Sequence, residues 1–207
     1  PPTPFITSIT QPSNICFGSN AVFTILGSPN TTVTYTLNGG SNQTVNLDNS
    51  GQGTITVISP ATDVVLITSS LQMGSQTATS ALTKTIIINP LGQVNPIGPQ
   101  TICQGAPTTA VTFSTSNITG TTTYTWSNNN TAIGLAAASV GNSTGIPSFV
   151  PTNTTTAPIN GTITVTPTYT SGGVSCIGTP TTFTITVNPT PQITNQIVAT
   201  CSDVALN

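Results

Sequence analysis

Few side chains in this chain of 207 residues could take part in acid–base or nucleophilic chemistry. The sequence holds one Lys or Arg, three Asp or Glu and no His. General acid–base catalysis and Ser-His-Asp triads therefore lack their imidazole. The three acids, Asp48, Asp63 and Asp203, are scattered along the chain, whereas glycoside hydrolysis needs two neighbouring carboxyl groups. We expect a non-enzymatic protein with no catalytic residue.

The same scarcity of charge argues against several kinds of ligand. Zinc sites need clusters of His, Cys or carboxylates, and calcium loops need closely spaced acidic oxygens. Lys84 alone cannot neutralise the phosphates of a nucleic acid. No apolar run approaches the roughly 18 residues of a membrane span. The sequence predicts no cofactor, no metal, no nucleic-acid partner and no membrane insertion.

The chain repeats itself. A proline is followed 12 or 13 residues later by a cysteine in three places: at Pro4 and Cys16, at Pro90 and Cys103, and at Pro189 and Cys201. The sequence TYTL at 34–37 recurs as TYTW at 123–126, and TIIINP at 85–90 recurs as TITVNP at 184–189. Fixed offsets of this kind indicate tandem structural units.

These landmarks predict one unit at 1–89, a second at 90–188 and the first strand of a third at 189–207. The second unit carries about ten extra residues by this alignment, which we place near 132–149. The apolar stretch at 132–138 is expected to cover an edge of the sheet or, alternatively, to form an exposed patch. The final strand is expected to belong to a longer parent chain or to pair with another chain.

Alternation of apolar and polar residues predicts strands throughout. Val33, Tyr35 and Leu37 alternate with Thr, and so do Tyr124 and Trp126. Short strands with frequent turn residues and no helical periodicity favour an all-β fold, with a β-sandwich of about seven strands in each unit. We place Tyr35, Leu37, Tyr124 and Trp126 in the core; the alternative for Trp126 is an exposed platform that stacks sugars or bases.

Two proline positions carry further expectations. Pro167 interrupts a strand-like run and should lie at a sheet edge or a bulge, because it cannot donate a ladder hydrogen bond. The junctions Asn89-Pro90 and Asn188-Pro189 contain no flexible Gly/Ser linker. We therefore expect stiff connections and an elongated rod.

A family resemblance rests on four short segments of the second unit: CQG at 103–105, YTW at 124–126, GGVSC at 172–176 and FTITVNP at 183–189. Together they resemble the PKD-like and immunoglobulin-like repeats of giant secreted surface proteins of the Bacteroidota, including gliding-motility adhesins. The resemblance implies tandem stalk or adhesin modules exported to the cell surface. The chain departs from the PKD signature after Trp126, where SNNN stands in place of acidic and glycine residues.

The resemblance also implies a disulfide between Cys103 and Cys176, and with it an oxidising compartment. The alternative is a pair of buried thiols. On this pairing Cys16 would be a buried free thiol, and Met73 would fill the space of the missing bridge. Cys201 would pair beyond the end of this sequence or form a crosslink between chains.

Three functions remain open from the sequence. The leading hypothesis is a structural or adhesive repeat module of an extracellular bacterial surface adhesin or filament, whose partners are neighbouring repeats and a glycan or solid surface. The second is a polymerising filament subunit that donates its last strand to a neighbour. The third is a carbohydrate-binding accessory module of a secreted enzyme, which would need exposed aromatic side chains.

Overall fold

The computed structural model describes residues 2–191, and this part of the chain is built from β-strands with a single 3₁₀ turn at Thr131–Ile133. The buried apolar side chains form two separate clusters. One cluster draws its residues from the chain between Ile6 and Ile88, and the other from the chain between Val94 and Val187. The chain therefore folds as two β-sandwiches in tandem, which we call unit 1 and unit 2.

Unit 1 contains two sheets that face each other across the first cluster. Its strands are β1 (Ile6–Thr10), β2 (Asn14–Cys16), β3 (Ala21–Gly27), β4 (Thr32–Leu37), β5 (Gln43–Asn46), β6 (Gln52–Val57), β7 (Val64–Met73), β8 (Gln76–Thr79) and β9 (Thr83–Asn89). One sheet has the order β1-β3-β6; the other has the order β2-β9-β7-β4-β5, with β8 also beside β7. Successive side chains of a strand point to opposite faces of its sheet. In β3, Ala21, Phe23 and Ile25 therefore all face inward, and they have no exposed surface.

Unit 2 repeats this arrangement with a shorter first sheet. Its strands are β10 (Gln100–Cys103), β11 (Val111–Thr112), β12 (Thr121–Asn128), β13 (Gly145–Ile146), β14 (Ile159–Ser171), β15 (Val174–Ile177) and β16 (Thr181–Asn188). The larger sheet has the order β10-β16-β14-β12, with β15 also beside β14, and β11 pairs with β13.

Each unit packs two sheets around one core, as an immunoglobulin-like β-sandwich does, and the two units share two further features. In each, a short early strand lies parallel to the last strand: β2 pairs with β9, and β10 pairs with β16. In each, the last strand is split in two, and both pieces pair antiparallel with one long strand. The prediction of an all-β protein with tandem immunoglobulin-like domains is confirmed.

The extra segment of unit 2 covers the free edge of β12. Its backbone bonds to that strand, with Asn128 N donating to Ala137 O (2.7 Å) and Ser139 N donating to Trp126 O (2.9 Å). Ile133 and Leu135 from the same segment are buried in the second cluster. In unit 1 the equivalent edge is occupied by β5 instead. The segment thus satisfies backbone groups that would otherwise form an exposed sheet edge.

Pro167 lies where the last strand of unit 2 is interrupted. It sits within β14 opposite Tyr124, while on its other side the chain passes from β15 to β16. Its carbonyl accepts a hydrogen bond from Gly178 N (2.9 Å) in that interruption. Because the N and C=O of one strand residue point the same way, the missing N–H faces the break and costs no ladder bond.

The predicted core residues lie in or against the two clusters. Tyr35, Tyr124 and Trp126 are buried, with 6%, 7% and 8% of their surface exposed. Leu37 is partly buried and packs against the first cluster. Trp126 therefore offers no open face for stacking a sugar or a base.

Asp48 organises the turn between β5 and β6. Its Oδ1 accepts hydrogen bonds from Ser50 N (2.8 Å), Ser50 Oγ (2.6 Å) and Gln52 N (2.9 Å). The Ser50 hydroxyl, followed by the two backbone N–H groups, lowers the pKa of this carboxyl below its ordinary value. Burial raises the pKa values of the Tyr35 and Tyr124 hydroxyls.

These pKa shifts predict a broad stability plateau between about pH 5 and 9. Asp48 stabilises the fold above the pKa of its unfolded form, and this contribution is lost as the pH falls through its lower folded value. The two tyrosines stabilise the fold below about pH 10, and their contribution is lost as the pH rises through their higher folded values. Thermal unfolding from pH 2 to 11 should show both declines.

The variant Asp48→Asn keeps the acceptor oxygen but cannot titrate. We expect it to lose most of the decline on the acid side and to keep the decline above pH 10. An acid limb as steep in this variant as in the parent chain would contradict the role assigned to Asp48.

Candidate functional site at the junction of the two units

A β-hairpin of unit 2 reaches back to unit 1. The outer part of β14 and the whole of β15, residues 168–177, form what we call the tip hairpin. Its turn is Gly172-Gly173, and both glycines have positive φ, +56° and +76°. A two-residue turn of this kind matches the right-handed twist of the strands but requires φ above zero at both positions, which glycine adopts without strain.

The tip hairpin is joined covalently to unit 1. Cys176 of β15 forms a disulfide with Cys16, the last residue of β2, across a Cα–Cα distance of 5.5 Å and a sequence separation of 160. The Cys176 side chain is buried, with 1% of its surface exposed. This bond connects the two units rather than two strands of one sandwich.

The predicted pairing of Cys103 with Cys176 is wrong. Cys103 lies opposite Asn188 at the far end of β16, whereas Cys176 lies opposite Tyr169 in the tip hairpin. About ten strand residues of β14 separate the two levels, which is roughly 34 Å. A disulfide needs Cα atoms within about 7 Å. Among residues 2–191, Cys103 has no disulfide partner and its side chain is exposed.

Two linked expectations fail for the same reason. Cys16 is bonded and is not a buried free thiol. Met73 does not replace a bridge, because the unit 1 residue equivalent to Cys176 is Ala78: the pair Leu71 and Ala78 corresponds to the pair Tyr169 and Cys176. The expectation for Cys201 lies outside the described residues.

Two asparagines of unit 1 support the disulfide. Asn14 Nδ2 donates to Asn89 Oδ1 (3.0 Å), and Asn89 Nδ2 donates to Ser171 O in the tip hairpin (2.9 Å). Asn89 has only 2% of its surface exposed. Since buried amides are costly without partners, this chain of hydrogen bonds favours the docked arrangement.

Gly172 allows the hairpin to approach closely. A Cβ at this position would lie 2.3 Å from Asn14 Oδ1, whereas a Cβ at Gly173 would meet nothing within 4 Å. The two turn glycines thus have different roles. Both permit the turn, but only Gly172 is needed for contact with unit 1.

The segment between the units lies directly against the tip hairpin. Gly92 N donates to Cys176 O (3.1 Å). A Cβ at Gly178 would lie 1.7 Å from Gly92 O, so the two backbones meet without a side chain between them. The junction is therefore fixed by a covalent bond, by the asparagine contacts and by a connecting segment held against the hairpin.

A groove of about 640 Å³ runs beside this junction. Its lining residues carry no titratable group: Phe17, Ala61, Ile88, Pro90, Leu91, Gly92, Gln93, Val94, Asn95, Pro96, Ser116, Thr179 and Thr181. Phe17 and Phe5 expose 51% and 58% of their surfaces. The three tyrosines and Trp126 are buried. The groove lining thus has no titratable group for acid–base chemistry, and no side chain that could act as a base stands beside its Ser and Thr hydroxyls.

Neither a metal-binding cluster nor a membrane-spanning helix is present in residues 2–191. Within that range, no three or more His, Cys, Asp or Glu side chains come close enough together to hold a metal ion. Over the same residues, no helix has the length and apolarity needed to cross a membrane.

Comparison with known proteins yields distant structural likenesses only. No protein-family model matches the chain, and no curated protein matches its sequence. A titin I-band fragment, I67–I69, has a TM-score of 0.49 and 10% identity, covering 90% of this chain and 65% of that one. The titin domains Z1Z2 in complex with telethonin have a TM-score of 0.37 and 16% identity, covering 91% and 98%.

Fibronectin(III)-like modules of Clostridium thermocellum CbhA have a TM-score of 0.36 and 11% identity, covering 94% of this chain and 100% of that one. All three TM-scores lie below 0.5, so these likenesses carry no inference about function. The immunoglobulin-like class follows from the strand order and pairing described above.

The residues of the junction were visible in the sequence but not recognisable as a group. Cys16, Asn14 and Asn89 come from unit 1, and Gly172 and Cys176 come from unit 2. One signal was available: the two units have an equivalent early cysteine, but only unit 2 has a cysteine in its hairpin. The first-unit cysteine therefore had no partner within its own unit.

Removing the disulfide should destabilise the chain. By the chain-entropy model a closed loop of this length contributes on the order of 5 kcal/mol, and native bridges typically contribute about 2–4 kcal/mol. We expect Cys176→Ser to lower the free energy of unfolding by about 2–4 kcal/mol in urea titrations without reductant. Cys103→Ser is the matched control and should change it by less than about 0.5 kcal/mol. The reverse ranking would contradict the pairing.

The two turn glycines provide a second matched pair. Gly172→Ala and Gly173→Ala both place a Cβ at positive φ, but only the first collides with Asn14. We expect Gly172→Ala to lower the equilibrium constant for the Cys16–Cys176 bond in a glutathione buffer by about tenfold relative to Gly173→Ala, or about 1.4 kcal/mol. Equal equilibrium constants for the two variants would show that the contact of Gly172 with Asn14 does not position the hairpin.

Proposed function

We propose that this chain is a non-enzymatic structural module, in which two immunoglobulin-like units are locked in tandem to form a semi-rigid stalk. The observation that carries the proposal is the junction. A covalent bond, a buried asparagine chain and a connecting segment held against the hairpin all restrict the angle between the units. A protein that needed its units to move would not combine these three restraints.

The chemistry of the described residues supports this role. The groove at the junction lacks titratable groups. Trp126 and the three tyrosines are buried, which leaves Phe17 as the one exposed aromatic side chain in the groove lining. We therefore favour the stalk over a carbohydrate-binding accessory module. The donor-strand alternative depends on residues 189–207, most of which lie outside the described part.

We further propose an extracellular location, as part of a bacterial cell-surface adhesin or filament. Disulfides persist in oxidising compartments and are rare in the cytosol. The PKD-like and immunoglobulin-like repeats of Bacteroidota surface proteins, which the sequence motifs resemble, suggest the same setting. The partners in this proposal are neighbouring repeats of the same protein and a glycan or solid surface at the distal end.

Small-angle X-ray scattering tests the stalk. A compact chain of this length would have a radius of gyration of about 17 Å. Two sandwiches joined end to end should give a clearly larger value and an elongated distance distribution. A radius near 17 Å would overturn the proposal.

The variant Cys16→Ser tests whether the disulfide restricts the angle between the two units. Without the disulfide, the distance distribution should broaden as the units sample more angles, while circular dichroism should still show the same β-sheet content. Cys103→Ser is the matched control and should scatter like the parent chain. Identical scattering of all three proteins would mean that the disulfide does not restrain the junction.

A further inference from the structure

The exposed thiol of Cys103 occupies the same place in unit 2 that the bonded Cys16 occupies in unit 1. Cys16 ends β2 and lies opposite Asn89; Cys103 ends β10 and lies opposite Asn188. Both pairs belong to the parallel ladder between an early strand and the last strand. The end of unit 2 thus repeats the end of unit 1.

The backbone around the two cysteines also agrees. Phe17 N donates to Asn89 O at 2.8 Å, and Gln104 N donates to Asn188 O at 2.9 Å. Each cysteine carbonyl accepts a hydrogen bond from the residue three positions later, at 3.0 Å in unit 1 and 3.1 Å in unit 2. Gly18 and Gly105 follow at matching positions with φ of +89° and +83°. The two cysteines are therefore presented by the same local structure.

The two ends differ in whether a hairpin is docked on the site. In unit 1 the site holds the tip hairpin of the following unit, and Asn89 is almost fully buried beneath it. In unit 2 Cys103 is exposed and Asn188 is half-buried. Within residues 2–191, the structure thus shows the same surface once with a partner and once without.

We propose that the end of unit 2 formed by Cys103 and Asn188 is a docking site for the tip hairpin of another immunoglobulin-like unit. That hairpin would carry a cysteine at the position of Cys176, and a disulfide to Cys103 would lock it. The inference rests on the proposed stalk function and deepens it by naming the partner. One contact differs, because Thr101 stands where unit 1 has Asn14.

The locking step needs an oxidant. The two thiols lose two protons and two electrons as the S–S bond forms. A disulfide compound such as oxidised glutathione accepts them and is released as two thiols.

The docking also has a direction. The hairpin of unit 1 has Ala78 at the position of Cys176, so this hairpin cannot form the same bond. In the described chain the covalent link therefore runs from the early strand of one unit to the hairpin of the next. The exposed partner site lies at the end of unit 2, beside Asn188.

A chain with one duplicated unit tests the proposal. Residues 189–207 are replaced by a second copy of residues 90–188, so that Asn188 is followed by Pro90 of the copy, as Asn89 is followed by Pro90 in the natural sequence. The copy carries Gln104→Asn and Ile177→Val, which give its two cysteine peptides masses different from those of the original unit. The protein is folded in a glutathione buffer, its free thiols are alkylated, and its disulfides are mapped by mass spectrometry without reduction.

We expect Cys16 bonded to Cys176, Cys103 bonded to the Cys176 of the copy, and only the Cys103 of the copy alkylated. Two matched variants sharpen the result. Replacing the copy's Cys176 with Ala, the residue of unit 1, should leave Cys103 alkylated. Asn188→Ala should lower the equilibrium constant of the new disulfide by about tenfold and leave that of Cys16–Cys176 unchanged.

The first disulfide serves as the internal measure of folding. If Cys16–Cys176 forms and Cys103 stays alkylated, the docking proposal is overturned while the stalk proposal stands. A Cys103–Cys201 bond in the natural 207-residue chain would overturn it as well. A compact scattering profile would instead remove the stalk proposal.

Discussion

The bond between Cys16 and Cys176 is the constraint around which the arrangement of the two units is organised. It needs a hairpin long enough to leave its own sandwich, and the 13-residue strand β14 provides that length. It also needs a tip without side chains where the hairpin meets Asn14, and Gly172 meets that need. The connecting segment then follows the hairpin closely, because Gly92 and Gly178 allow their backbones to touch.

The scarcity of charged residues explains why the junction is held by a disulfide and by asparagine hydrogen bonds. With 2% charged residues, the chain has almost no ion pairs at its disposal. Amide side chains offer both donors and acceptors without a charge to desolvate, and Asn14 and Asn89 use both. Contacts of this kind are little affected by salt, because screening acts on charges. A chain with so few charges can therefore fix its junction with amide hydrogen bonds and a disulfide, and it needs no ion pairs there.

Much of the fold was predictable because it follows from local patterns. The alternation in β4 and β12 placed Tyr35, Tyr124 and Trp126 inward. For Pro167 the sequence predicted a sheet edge or a bulge; it lies within β14, which has strands on both sides, opposite the break between β15 and β16. The repeat offsets predicted units at 1–89 and 90–188; one buried cluster draws its residues from between Ile6 and Ile88, and the other from between Val94 and Val187. These features depend on neighbouring residues and on the period of the strand.

The junction was not predictable in the same way. Pairing Cys103 with Cys176 assumed that both cysteines lie at one end of a sandwich, whereas the parallel strand β10 presents Cys103 at the end opposite the tip hairpin. Only the strand order reveals this separation. The contact of Gly172 with Asn14 likewise joins residues from two units, and no periodicity in either unit encodes it.

The position of the disulfide has a mechanical consequence. When the chain is pulled from its two ends, tension enters unit 1 through β1 and β2, crosses from Cys16 to Cys176, and leaves through β15 and β16. The 160 positions that separate the two cysteines are bypassed and carry no load while the bond is intact. Roughly 550 Å of chain is thereby withheld from extension, and only the residues before Cys16 and after Cys176 can be drawn out while the bond is intact.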